Sequence, residues 1–217
     1  MPRKTDKRIR LIEAAKVLIH QQGFNLTTLA DIAQEADVPL GNVYYYFKTK
    51  EAIGIAVIEK RSAELAERLA TWSELSDPLA RLASLLRHGL EDLDTKARFG
   101  CPIGGLCQEL GKQGGSLSDL AAKLLHDVLK WSEEQFRAIG VDEVKAANYA
   151  LNLISSIQGM FLLTHTFKDP KIAQRQTEEL QTWLEGIANR KVVMPAHRQE
   201  AVAQAETRMS SEEAYAE

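Results

Sequence analysis

Apolar residues along this chain recur three and four positions apart, and nowhere do they alternate over a run bounded by turn residues as a half-buried strand would. The first such stripe, Ile9, Ile12, Ala15, Val17, Leu18 and Ile19, predicts a helix over 6–22, with Lys7, Arg8, Arg10 and Lys16 set between its apolar positions. Gly23 stops it. Thr27 or Thr28 can cap a second helix of about two turns, with Asp31 placed to complete a capping arrangement. Its inner face is Leu29, Ile32, Ala33 and Ala36. Asp37-Val38-Pro39 ends that helix, because the residue before a proline is pushed out of the α region, and Pro39 can open a third helix running to Phe47. On a wheel Leu40, Val43 and Phe47 share one narrow sector, while Gly41, Asn42, Tyr44, Tyr45 and Tyr46 spread around the rest.

The same period continues to the end of the apolar sequence. A helix long enough to connect two domains rigidly is predicted from Glu51 to Trp72, and another from the Ser76-Asp77-Pro78 start to Leu93. Gly100-Cys101-Pro102 opens a short one ending near Gly111, and Leu117 or Ser118 begins one that Gly140 ends. Asp142 caps a helix to Phe167 that is apolar over more than one face, so it needs neighbours on several sides. Pro170 interrupts it, and Ile172, Leu180, Trp183, Leu184 and Ile187 mark a final helix. The fold class is therefore all-α. From 191 to 217 the sequence is polar without an apolar stripe and reads as a mobile tail.

Composition narrows the class. With 217 residues, 45% of them apolar, the chain can form a real core, and its longest apolar stretch, Leu151 to Leu163, is broken by polar residues and too short to span a membrane. The N-terminus is charged with no apolar run behind it to suit a signal peptide, which points to a cytoplasmic protein. Two cysteines make neither a disulfide framework nor the paired spacing of a zinc site, so no metal or cofactor is expected. A net charge of −3 says little until the chain is divided after Arg61. The N-terminal part then carries 10 Lys/Arg against 7 Asp/Glu and the remainder 17 against 23, so the N-terminal end is the part suited to meet phosphates.

Two short helices joined by a tight turn, the second bearing an amide, three phenols and flanking lysines, suit a major groove: Asn for base edges, Tyr or Lys for phosphates. The run from Thr27 to Glu51, TTLADIAQEADVPLGNVYYYFKTKE, resembles the N-terminal signature of the TetR family of bacterial repressors, and the likeness is dense over residues 5–60. The resemblance implies a helix-turn-helix domain over 1–50 and a larger helical effector-binding and dimerisation domain over 51–190. It makes Pro39 to Phe47 the recognition helix, with Gly41 and Asn42 near base edges, Tyr44 and Tyr46 on phosphates, and Lys50 and Thr28 adding phosphate contacts. Leu40 departs from the commoner polar or basic residue, so its base contact would be apolar, as to a thymine methyl. The resemblance also implies a homodimer, paired through the last two long helices, on a palindromic operator. It implies no enzyme activity, and a response to a small effector.

Two routes for that response are open. Cys101, at an expected helix N-terminus with Lys96 and Arg98 nearby in sequence, is placed to favour a thiolate, and some family members that respond to electrophiles, aldehydes or oxidants have a similar Gly-Cys segment. Cys107, six residues on and on the far side of the helix, reads as core. The other route is a reversible ligand in a helix-lined pocket, for which Phe99, Leu106, Leu124, His126, Trp131, Phe136, Met160 and His165 are candidates, each with ordinary core packing as its alternative. Two other classes remain at this point: a thiol enzyme using Cys101 with His126, and a nucleoid-type protein binding DNA without sequence preference.

Overall fold

The computed structural model describes residues 4–192, and the polar segment beyond Val192, with most of the expected tail, lies outside the described residues. Ten α-helices and no strand occur among them. In order they are α1 (Lys4–Gln22), α2 (Leu29–Glu35), α3 (Leu40–Tyr46), α4 (Lys50–Ser73), α5 (Pro78–Gly89), α6 (Leu93–Phe99), α7 (Gly104–Gly111), α8 (Ser116–Ala138), α9 (Glu143–Phe167) and α10 (Pro170–Val192). Residues up to Gln181 make one compact unit; those from Thr182 make a second, whose described part is the end of α10.

Helix starts follow local side-chain chemistry. Asp77 accepts from the Leu79 and Ala80 N–H groups at 3.0 and 3.2 Å with Pro78 as the first helical residue, and Asp142 accepts from the Lys145 N–H at 3.1 Å. Each satisfies donors that a helix N-terminus leaves without intrahelical partners. Among the long helices, α8 packs against α9, α4 and α5 lie against α8, and α1 against α4. The side chains of Leu82, Leu86, Leu124, Phe136 and Leu153 are fully buried there. Truncating one such leucine to alanine costs about 2–5 kcal/mol in cores of this kind.

One expected helix is shorter, and an unexpected one follows it. The apolar pattern from Pro78 to Leu93 predicts a continuous helix, yet α5 stops at Gly89 and α6 begins at Leu93 after Asp92 adopts a left-handed φ of 50°. The reason lies ahead in the sequence: the Lys96 ammonium turns back and donates to the carbonyls of His88 (3.2 Å), Gly89 (3.0 Å) and Glu91, closing the exposed end of α5. Neither proline nor a terminal glycine with positive φ marks this break. The next helix starts at Gly104 instead of Gly100, which leaves Gly100, Cys101 and Pro102 as a bend between α6 and α7.

Candidate DNA-binding face and sensing cavities

Thr28, of the two threonines, is the N-cap of α2. Its hydroxyl accepts from the Asp31 N–H at 3.1 Å, the Asp31 carboxylate accepts from the Thr28 N–H at 2.8 Å, and this hydrogen bonding holds Asp31 below the usual carboxylate range. Thr27 is buried and donates to the Gly23 carbonyl at 2.7 Å. The turn into α3 passes through Asp37 at φ 49°, a left-handed position that Asp tolerates better than most side chains. Arg10 of α1 fixes this turn: its Nε donates to the Ala36 carbonyl at 2.9 Å, and its terminal nitrogen donates to the carbonyls of Ala36 and Asp37.

Val43 and Phe47 are buried, so α3 is anchored by one narrow face. Leu40, which shares that sector on the wheel, is not part of the anchor: it is 42% exposed, because it stands in the first turn beyond the reach of the α2 packing. Tyr44 (49%) and Tyr45 (61%) are also exposed, Gly41 has open space where a Cβ would stand, and Asn42 is half-buried. Tyr46 is half-buried with its ring edge-on to Tyr45, centroids 5.0 Å apart. Tyr45, which the sequence reading left without a role, is thus the more exposed of the two. Lys50 begins α4, where its ammonium donates to the Asn25 carbonyl at 2.7 Å and lies 4.8 Å from the Phe24 ring centroid.

Cys101 sits between two cavities. One, of about 110 Å³, is mostly apolar, with Trp72, Leu125, Ile157 and Phe161 among its walls and His88, Lys96 and Gln158 as polar groups. The other, of about 190 Å³, is more polar and is bounded by His20, Phe99, Leu106, Glu109 and His165. The Cys101 sulfur accepts from the Gly104 N–H at 3.3 Å and its carbonyl from the Gly105 N–H at 2.9 Å, which ties the bend before Ile103, the N-cap of α7, to the first turn of that helix. Burial lowers the pKa of Arg61 and of Lys96, both of which lie within electrostatic reach of Cys101. Arg61, forty positions away in sequence, therefore joins Lys96 as a cationic neighbour. Arg98 instead is exposed and lies over the Phe99 ring at 4.9 Å.

Cys107 differs. Its thiol donates to the Ala121 carbonyl at 3.1 Å, and burial pushes its pKa up to about 11. Both cysteines are free. Burial also lowers the pKa of His20, whose Nε2–H donates to the Gly100 carbonyl at 2.9 Å. His165 Nδ1 lies 3.2 Å from the Ala97 carbonyl and 3.0 Å from the Lys168 ammonium.

Of the residues the sequence suggested for a pocket, the structure brings Phe99, Leu106 and His165 together with Cys101. The other candidates lie away from these two cavities. Phe136 and Leu124 are fully enclosed in the core, Met160 is buried beside Thr177 and Gly89, and Trp131 is buried with its indole N–H donating to Ser73 Oγ at 2.9 Å. His126 is 70% exposed on α8 and lines neither cavity, so it is not placed to act on the Cys101 thiol. No group of three His, Cys, Asp or Glu suited to a metal ion occurs among the described residues, and no described helix is long and apolar enough to cross a membrane.

Comparison with known proteins agrees with this architecture. Residues 11–57 match the model of bacterial regulatory proteins of the tetR family, and residues 78–183 match the C-terminal domain of LmrA/YxaF-like transcriptional regulators. An uncharacterised HTH-type regulator in the lacX 3' region of Lactococcus lactis is 28% identical over 83% of this chain and 94% of its own length. The regulator LmrA of Bacillus subtilis is 26% identical over 76% and 89%. Among solved structures, a TetR regulator from Legionella pneumophila superposes with a TM-score of 0.73 at 20% identity, covering 84% of this chain and 97% of that one. The E. coli protein NemR superposes at 0.69 with 20% identity, covering 81% and 97%. With both halves of the chain matched and the fold shared, the protein belongs to the TetR family of helix-turn-helix transcriptional regulators.

Proposed function

We propose that this regulator is a homodimeric repressor that leaves a palindromic operator when a small ligand or thiol-reactive electrophile acts at Cys101. The observation that carries this reading is the position of Cys101, on the walls of both cavities and with its sulfur accepting from the N–H of Gly104, the first residue of α7. A thiol there is reachable by a small molecule, and any adduct must displace the first turn of a helix. NemR, described as a transcriptional repressor, is 38% identical over 30% of this chain, and its solved structure is of a reduced form.

On the DNA side, α3 is the recognition helix, with Leu40, Gly41 and Asn42 at base edges and Tyr44, Tyr46, Lys50 and Thr28 at phosphates. Exposure of Leu40, Gly41, Tyr44 and Thr28 supports the assignment. For the dimer, α9 carries Val144, Leu151, Leu162, Leu163 and Phe167 as exposed apolar side chains, a row suited to a second copy of the helix and, with α10, to the bundle expected of the family. The domain division at about residue 50 coincides with the start of α4, which supports reading 1–50 as the DNA-binding part.

A band-shift titration with DNA flanking the protein's own gene tests this. Sequence-specific retention that falls steeply with salt is expected. Equal affinity for unrelated DNA of the same length would contradict it and favour a nucleoid-type protein.

A further inference from the structure

Helix α7 touches the helix-turn-helix through a carboxylate. Glu109 projects to the turn that follows α1, where its Oε2 accepts from the Phe24 N–H and its Oε1 from the Asn25 N–H, both at 2.7 Å. Charge-assisted bonds to backbone N–H groups are about twice as strong as neutral ones, and two from one carboxylate fix orientation as well as distance. The turn is shaped to receive it: Gly23 has φ +87°, and a Cβ there would stand 2.9 Å from Glu109 Oε2. Asn25 is then held on its remaining sides, its side-chain oxygen by Gln113 Nε2 at 2.6 Å and its carbonyl by the Lys50 ammonium at 2.7 Å. Two and three residues after Asn25 come Thr27 and Thr28, the latter the cap of α2, on which α3 packs.

The same helix has Cys101 at its other end, and the 190 Å³ cavity is bounded by both Cys101 and Glu109. We infer that Glu109 is the positioning residue that couples the cavity to DNA binding: its carboxylate latches the α1–α2 turn, and movement of α7 caused at Cys101 withdraws the latch and lets α2 and α3 leave their operator-competent pose. This rests on the repressor reading above, with the latch formed in the unmodified protein.

The test compares Glu109→Gln, near in shape but able to offer only one oxygen, and Glu109→Asp, which keeps the charge but falls a methylene short. Three quantities are measured on the full-length protein: hydrogen exchange of the Phe24 and Asn25 amides, operator affinity, and the change in that affinity on alkylation with iodoacetamide. Both variants should exchange those amides at least about tenfold faster and bind the operator about 5- to 150-fold more weakly, the range of ordinary coupling energies. Alkylation should add little to that loss. Helical circular dichroism unchanged from wild type confirms that the variants fold, and Glu109→Asp behaving like wild type would mean that charge alone matters and would overturn the latch. Operator affinity within twofold of wild type in both variants, with alkylation still releasing DNA, overturns the latch and leaves the Cys101 reading standing. Weakened operator binding in the variants, with wild type indifferent to alkylation, supports the latch and removes Cys101 as the trigger.

Discussion

Helices α3 and α7 are nearly the same length, 7 and 8 residues, but the chain uses them in opposite ways. Only Val43 of α3 is buried, and Leu40, Gly41, Tyr44 and Tyr45 stand in solvent. Helix α7 buries Gly104, Leu106 and Leu110, with a thiol at one end and a carboxylate bound to another helix's turn near the other. In the proposed repressor, α3 shows its side chains to a groove, whereas α7 is held near both of its ends.

The comparison is broken most severely at the anchor of α3. Phe47→Ala should cost about 3–5 kcal/mol of stability, because the ring is buried, while Tyr44→Ala should change stability by less than about 0.5 kcal/mol and still weaken operator binding. Urea denaturation alongside band shifts separates the two, and equal destabilisation by both variants would show that Tyr44 is not the free face it is taken for. A finer distinction lies within the exposed face. Asn42→Ala should relax preference at one operator position by about 1–3 kcal/mol, and Tyr44→Phe should weaken binding to every sequence alike. Matching profiles across a panel of operator variants would undo the division of roles.

Smaller still, Thr28→Ala removes half of the α2 capping box and should lower the unfolding free energy by about 1 kcal/mol, read from the denaturation midpoint. The smallest effect lies at the two cavities beside Cys101 and depends on pH. Burial lowers the folded-state pKa of His20 and of His88, so the unfolded chain takes up protons first. Their contribution is therefore complete above the ordinary histidine value of about 6.5 and declines as pH falls below it. Denaturation midpoints between pH 7.5 and 5.5 should fall less steeply in His20→Gln than in wild type; parallel curves would show that His20 plays no part.

The same contrast explains what the sequence made legible. The first three helices are local structures: a glycine stop, a threonine cap and a proline break punctuate them within a residue or two of the observed ends. Helix α6 was hidden because its separation from α5 depends on Lys96 reaching back to carbonyls five to eight residues earlier, which no periodicity records. On α3 the sequence reading already assigned outward roles to Leu40, Gly41 and Tyr44, and these positions are exposed, while the still greater exposure of Tyr45 carried no sequence signal. Of the lining of the 190 Å³ cavity, the sequence singled out Cys101, Phe99, Leu106 and His165. Arg61 and Glu109 were missed, because their partners lie about 40 and 85 positions away and an isolated Arg or Glu on a helix looks like solvated surface. Such residues become visible only when the chain is folded.

The most direct test of the whole account is operator affinity before and after iodoacetamide treatment at pH 8, in wild type and in Cys101→Ser. The Cys107 thiol is tied to the Ala121 carbonyl and lines neither cavity, whereas Cys101 lines both, so labelling goes to Cys101. The account predicts that alkylation weakens operator binding by wild type at least about tenfold, a coupling within the usual range, and leaves Cys101→Ser unchanged. Equal release of DNA by both proteins, or by neither, would contradict it.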